Sequence, residues 1–456
     1  MLYNDFTVTI AERTEAGYPV FAVAQGLGRV TAILPPPDSE LKALLARVAS
    51  SPPAGDDGAV LREAGRALFR WLGQGPVEGH LRIAWDRAGQ MGRGLRLRLS
   101  IDPPEISAWP WELLWDPQRD HWFATSTLTP LVRFLDQADR FGGLVDQQAE
   151  WPLKLLLVLP YSAELDLALE HRLIEEALAP LRGALHLHVL EGIVTRAHLA
   201  DALLLSGCDI VHFAGHGGFV DGKGYIVLNQ PDGSPDWVDD ETLARLTLNH
   251  CHLKLVVLNT CSGGRVDDAR AFGGLTPALL RRGLPAVIAM QYPLSDQMGA
   301  AFAREFYRRL CLGENAGRVD VAVTHARNML AICYPGQRGF AAPVLYTHTP
   351  DSVIFSLAPR PILAAADDSG SELSPCARLV ASLESSTAWD EDWALADRTA
   401  LERWRERLEQ AQQMYQAHLS DPTPEARQAA RRGLALIQRR LAALDAALAL
   451  APSSSA

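Results

Sequence analysis

Asp209–Gly218 reads DIVHFAGHGG, and Leu253–Gly264 reads LKLVVLNTCSGG. Both begin as apolar, β-branched runs of the kind that form strands buried on both faces. Both break at their C-terminal ends into small residues around one reactive side chain, His216 in the first and Cys261 in the second. In an open α/β sheet, ligands and chemistry collect at the carboxyl ends of the strands. Two such strands would therefore bring a base and a thiol to one rim.

The pattern continues on either side. From Leu153 onward LKLLLVLP, LHLHVLEG, DIVHFAG, LKLVVLNTC, LPAVIAMQYP and APVLYTH read as six strands. Helices are expected between them, over 164–181, 195–205, 240–247, 276–282, 296–312 and near 319–332. Alternation at this spacing predicts an α/β fold with a mostly parallel six-stranded sheet flanked by helices. Upstream, FTVTIAER and YPVFAVAQ alternate around Glu15, Ala16 and Gly17, the pattern of a β-hairpin with one buried face. A helical stretch from Asp38 to about Leu72 is broken at Pro52, Pro53 and Gly55. Then come the strand LRLRLSID and PPEISAWPWELLWDP (Pro103–Pro117), an aromatic plug between two layers. The expected organisation is an N-terminal lobe over 1–150, an α/β domain over 151–358, a linker over 359–380 and a helical hairpin over 381–450. The hairpin seams are Leu401, Trp404, Leu408, Ala411, Tyr415 and Leu419, then Leu434, Ile437, Leu441, Leu444 and Leu448.

Composition narrows the function classes. The chain has 456 residues, is 48% hydrophobic and carries a formal charge of −11, so it can build a sizeable core but offers no broad cationic surface for nucleic acid or anionic lipid. The basic stretches 93–98 and 427–440 read as solvated faces. Six cysteines without regular short spacing indicate neither a disulfide scaffold nor a zinc knuckle, so the chain reads as reduced and cytoplasmic. The acidic, strand-like start and the absence of a long apolar run predict a protein that is neither secreted nor membrane-spanning. No Gly-rich phosphate loop or dinucleotide fingerprint is present, and no cofactor is expected.

A thiol is a good nucleophile only as thiolate, and His216 can take its proton. Gly215, Gly217 and Gly218 permit tight backbone geometry around the ring. The N–H groups of Gly217 and Cys261 could then hold the oxyanion of a tetrahedral intermediate, so acyl transfer is the natural reaction class. Other candidates are weaker. His212 lies within its strand and reads as structural. His250, Cys251 and His252 lack a fourth metal ligand, and His186 with His188 lack partners, so no metal site is expected. Cys208, Cys311 and Cys333 read as packing.

HFAGHGG followed by VVLNTCSGG, the later AVIAMQYPLSDQMGAAFAREFYRRL and the upstream GLRLRLSIDPPEISAWPWELLWDP together resemble the CHAT family of caspase-like proteases, related to caspases and separase. The resemblance covers roughly residues 1–350. It implies a caspase-type sheet with a His and Cys dyad at His216 and Cys261, and a first lobe that is a degenerate half-copy of the same fold. It implies no carboxylate orienting the histidine. Asp296, in YPLSDQ, stands where separase-like relatives carry an acidic residue facing a basic P1 side chain. The same SDQM opens a helix that Ser295 or Asp296 would cap. Asp267 and Asp268 are weaker substrate-binding candidates. The resemblance further implies a protein substrate encoded by a neighbouring gene, such as a gasdermin-like pore former, an activating protein partner, and a role in prokaryotic defence or regulated cell death. The alternative is a caspase-like scaffold that acts by binding a partner.

Overall fold

The computed structural model describes residues 2–50, 58–135, 148–165, 167–181, 183–220, 223–248, 250, 252–260 and 272–357, together with Arg405, Glu409, Gln412, Gln416, Leu434, Gln438, Leu441 and Asp445. Contacts divide the chain into two units, Met1–Ala358 and Pro359–Ala456.

The first unit opens with β1 (Tyr3–Ile10), β2 (Tyr18–Ala24) and β3 (Gly28–Leu34), followed by the helices α1 (Ser39–Ser50), α2 (Gly58–Leu72) and α3 (Val77–Gln90). Next come β4 (Gly94–Ile101), the single turn α4 (Pro104–Ser107), the short pair β5 (Trp115–Asp116) and β6 (His121–Trp122), β7 (Leu131–Phe134) and β8 (Gln148–Ala149). Alternating elements follow: β9 (Leu153–Pro160), α5 (Leu167–Leu178), β10 (Leu185–Gly192), α6 (Arg196–Ser206) and β11 (Ile210–Gly215). Three small strands, β12 (Gly217–Val220), β13 (Lys223–Asn229) and β14 (Pro235–Asp239), lead to α7 (Asp240–Thr247) and β15 (Leu255–Thr260). The unit closes with α8 (Phe272–Arg281), β16 (Ala286–Met290), α9 (Asp296–Cys311), α10 (Val319–Cys333), β17 (Pro343–Thr347) and β18 (Ser356–Leu357).

One mixed α/β sheet of 11 strands organises these elements, in the order β10-β9-β11-β15-β16-β17-β7-β4-β1-β2-β3. Its first six strands are those read from the sequence. Five are parallel, and β17 runs antiparallel to β16. The apolar runs have the reason anticipated for them, burial on both sides. Leu155, Leu157, Leu255, Val257 and Ile288 pack with Phe302, Phe306, Val323 and Leu330 of α9 and α10 in one core layer. The alternate residues Leu156, Val158, Val256, Leu258 and Val287 pack with Leu199, Leu203, Leu243 and Leu279 of α6, α7 and α8 in the other. Each such side chain contributes about 1.5–3 kcal/mol of transfer free energy.

The sheet does not stop at β17. Tyr346 and Thr347 pair in parallel with Arg133 and Phe134 of β7, and β4, β1, β2 and β3 extend the same sheet. Residues 1–150 thus share a continuous sheet with the strands that follow. At the junction the aromatic run has a polar centre. Glu112 is fully buried, and Arg133 meets it bidentately, Nε to Oε1 at 3.0 Å and Nη2 to Oε2 at 2.8 Å. Burial alone would raise the Glu112 carboxyl, but Arg133 and then Arg327 outweigh it and hold the group ionised. Arg327, itself fully buried, donates to the carbonyls of Pro343 and Leu131. Gln291, just past β16, donates to Glu112 Oε2 at 2.8 Å. Trp111 fills the space beside this network, with Trp71 and Trp109 against it.

In the second unit the described residues are helical, and Arg405 Nε lies 3.6 Å from the Asp445 carboxylate. Leu434 and Leu441 of the expected seams are half-buried. The other seam residues and the linker 359–380 lie outside the described residues. Among the described residues no helix is long and apolar enough to cross a membrane.

Candidate active site

His216 stands between β11 and β12, where the chain leaves the large sheet. Its carbonyl accepts from the Val227 N–H at 3.0 Å, which fixes the backbone against β13. The approach is close on the other side: a Cβ at Gly215 would sit 3.2 Å from the Phe213 ring and 3.4 Å from Pro160, so glycine suits that position. The imidazole is held from the loop after β9. Ser162 Oγ and His216 Nε2 are 2.9 Å apart, and Ser162 Oγ also accepts the Glu164 N–H at 3.1 Å. The Glu164 carboxylate is 3.7 Å from Nε2 but largely exposed, so its pull on the ring is weak. Ser162 was not evident from the sequence. A lone serine after a strand carries no pattern that marks it.

The neighbouring strand β15 reaches the same rim. It pairs in parallel with β11 from Ile210↔Leu255 to Gly215↔Thr260, so His216 and Cys261 each follow directly in sequence on a paired residue. Cys261 itself lies outside the described residues, as do Asp267 and Asp268. Gly217 is described and begins β12, beside the histidine.

Beneath this rim is a polar group that sequence reading passed over. Asn259, two residues before Cys261, donates from Nδ2 to Glu170 Oε1 of α5 at 2.9 Å, and the two are 5% and 7% exposed. Burial, and then the Asp296 carboxylate, push the Glu170 carboxyl up to about 7, against the pull of the Asn259 hydrogen bond. Asp296 therefore lies close enough to Glu170 to act on its charge. It occupies the first helical position of α9 and is exposed. Of the two capping candidates Ser295 is the N-cap, its Oγ accepting the Met298 N–H at 3.3 Å, so Asp296 is not needed for that role.

The Glu170 carboxyl keeps its proton well above the usual carboxylate range, which couples stability to pH. An unperturbed Glu ionises near 4.3, so between that value and about 7 the folded chain keeps a proton that the unfolded chain has lost. The associated stability is fully present below about pH 4 and is lost as pH rises through about 7, a change of roughly 3 kcal/mol. Glu170→Gln removes the titration while keeping an oxygen for Asn259. Thermal unfolding of the two proteins from pH 5 to 8 is expected to show the variant gaining on the wild type as pH rises. Parallel curves would contradict the assignment.

The remaining candidates fall outside this centre. His212 is buried, shares a 2.9 Å hydrogen bond with Tyr307 Oη, and is driven down to about 4 by burial, so it is a neutral core residue. His186 and His188 stack at 4.5 Å on β10, the edge strand. Cys251 lies outside the described residues. Among the described residues no three His, Cys, Asp or Glu side chains converge on a site for a metal ion. Cys208 and Cys311 are buried, as packing residues should be. Cys333 is not. It is exposed at the last position of α10, because the helix turns its apolar face elsewhere and ends there.

The CHAT domain family model matches residues 62–333, more than half of the chain. Two crystal structures of the Saccharomyces cerevisiae separase–securin complex are similar, each at 12% identity over 76% of this chain, with TM-scores of 0.45 and 0.41. The matched region spans 30% of those chains. None of the curated proteins searched matches.

Proposed function

The chain belongs to the CHAT domain family of caspase-like proteases, and from that premise we propose that it is a cysteine endopeptidase in which His216 and Cys261 form the catalytic pair. The observation that carries this reading is the parallel pairing of β11 with β15 up to Gly215↔Thr260, the residues directly preceding the two reactive side chains. In the proposed cycle His216 takes the Sγ proton of Cys261, and the thiolate attacks the peptide carbonyl carbon. The Gly217 and Cys261 N–H groups hold the oxyanion. The C–N bond then breaks, the imidazolium returns its proton to the leaving amine, and water activated by His216 hydrolyses the thioester. Ser162 sets the orientation of the ring. The chemistry calls for no cofactor.

Asp296 is the proposed recognition group for a basic P1 side chain. Its exposure at the start of α9 supports this reading, since an accessible carboxylate favours Arg or Lys through a charge-assisted hydrogen bond. Family membership also supports a partner protein as substrate, in a prokaryotic defence or stress pathway, with a gasdermin-like pore former as one form of it.

The test is to incubate wild-type protein and Cys261→Ala with candidate partner proteins and read the products by intact mass. Cleavage by the wild type alone is expected, at a site whose P1 residue is basic and whose preference weakens in Asp296→Ala. Cleavage undiminished in Cys261→Ala would refute the assignment. Binding without cleavage by either protein would favour a scaffold.

A further inference from the structure

The strands that follow His216 form a separate antiparallel sheet, β12-β13-β14. Ile226 and Val238 pair across it and are buried, at 1% and 0% exposure, so their face is turned into the protein. The alternate residues Tyr225, Val227 and Trp237, with Gly218 opposite Tyr225, take the other face. Val227 pairs with Trp237 and also donates to the His216 carbonyl, which puts His216, Val227 and Trp237 in one row across the strands. Two strand spacings separate the ends of that row, about 10 Å.

Trp237 is 52% exposed, an unusual state for the largest side chain of a small sheet. It is nevertheless held in place. Arg196 grips Asp236 with Nε and Nη2, both at 2.7 Å, and Nη2 also donates to the Trp237 carbonyl at 3.3 Å. Tyr225 meets the indole edge-on at 6.2 Å, and Gly218 lies against it, where a Cβ would come within 3.5 Å of the ring. A rigid, exposed aromatic ring loses little entropy on binding and suits the role of an anchor.

The chemistry at His216 fixes which part of a substrate would reach this ring. In amide cleavage the general acid passes its proton to the leaving nitrogen, which must therefore lie beside the imidazole. The polypeptide that continues from that nitrogen starts at His216, and at about 3.3 Å per extended residue its second or third residue arrives about 10 Å away. We propose that Trp237, backed by Tyr225 and Gly218, is a prime-side specificity platform that binds an apolar or aromatic side chain two or three residues C-terminal to the scissile bond. The assignment rests on His216 serving as the base and acid of the proposed peptidase.

Two substrates with the same acyl sequence test it. One continues into apolar residues after the scissile bond, and the other ends in an aminocoumarin amide with no peptide beyond it. In Trp237→Ala the ratio of kcat/KM for the first substrate over the second is expected to fall on the order of tenfold, through KM, with Trp237→Phe restoring most of it. Trp237→Gln provides a second folded variant with the ring removed. An unchanged ratio would overturn the platform while leaving the peptidase intact, and so would a parallel loss on both substrates. Wild-type protein that cleaves neither substrate would overturn the peptidase reading itself, and the platform with it.

Discussion

His216→Ala is expected to reduce kcat for peptide cleavage by a factor between about a hundred and ten thousand, with little change in KM. The ring is the proposed acceptor of the Cys261 proton and the donor to the leaving amine. His212, four residues upstream, is buried and bonded to Tyr307. Ser162→Ala should cost far less, within about tenfold, because it removes one hydrogen bond that orients the ring. Steady-state kinetics on a cleaved peptide would check both. Equal losses in the two variants would mean that Ser162 takes part in the chemistry, and no loss in His216→Ala would remove the histidine from it.

The largest effect on stability is expected at Glu112. Its carboxylate is the counter-charge for two buried guanidinium groups, Arg133 in contact and Arg327 at 3.8 Å, and it accepts from Gln291 as well. Glu112→Ala leaves two cations in a dry interior, at a cost of about 3–5 kcal/mol. Glu112→Gln, which keeps the shape but not the charge, should fall between the two. Denaturant unfolding measures the difference. The network ties β7, α10 and the segment after β16 together, so the loss should appear in the whole first unit and not in residues 1–150 alone. A change below about 1 kcal/mol in Glu112→Ala would show that the arginines are already compensated by the carbonyls of Ser107, Trp109, Pro343 and Leu131.

Much of the fold could be read from the chain because the six central strands are apolar on both faces and are separated by helices of ordinary length. The elements that escaped are those whose burial is carried by small or polar residues. In α3 the buried face is Val77, His80, Leu81, Ala84 and Ala88, too weakly apolar to announce a helix. The small sheet β12-β13-β14 was missed because two glycines open it and its outer face carries Tyr225 and Trp237. The joining of β17 to β7 depends on four paired residues more than two hundred positions apart, and no local pattern records such a contact.

The site shows the same division. His216 and Cys261 could be singled out because each breaks a strand of strong hydrophobic character at its C-terminal end. Ser162, Glu170 and Asn259 could not, since each is an ordinary polar residue whose meaning comes from a partner in a distant segment. Glu112 sat within a run read as aromatic filler, though a carboxylate flanked by Trp109, Trp111 and Trp115 could have been read as a buried charge in need of a cation.

The proposed pairing of His216 with Cys261 is tested most directly by a peptidyl acyloxymethyl ketone with arginine at P1, incubated with the 456-residue protein and located by intact mass and peptide mapping. Cys333 provides an exposed competing thiol within the same molecule. The expected result is a single adduct on Cys261, formed at least about a hundredfold more slowly in His216→Ala. Labelling on Cys333 in place of Cys261, or labelling of Cys261 at the same rate in both proteins, would contradict it.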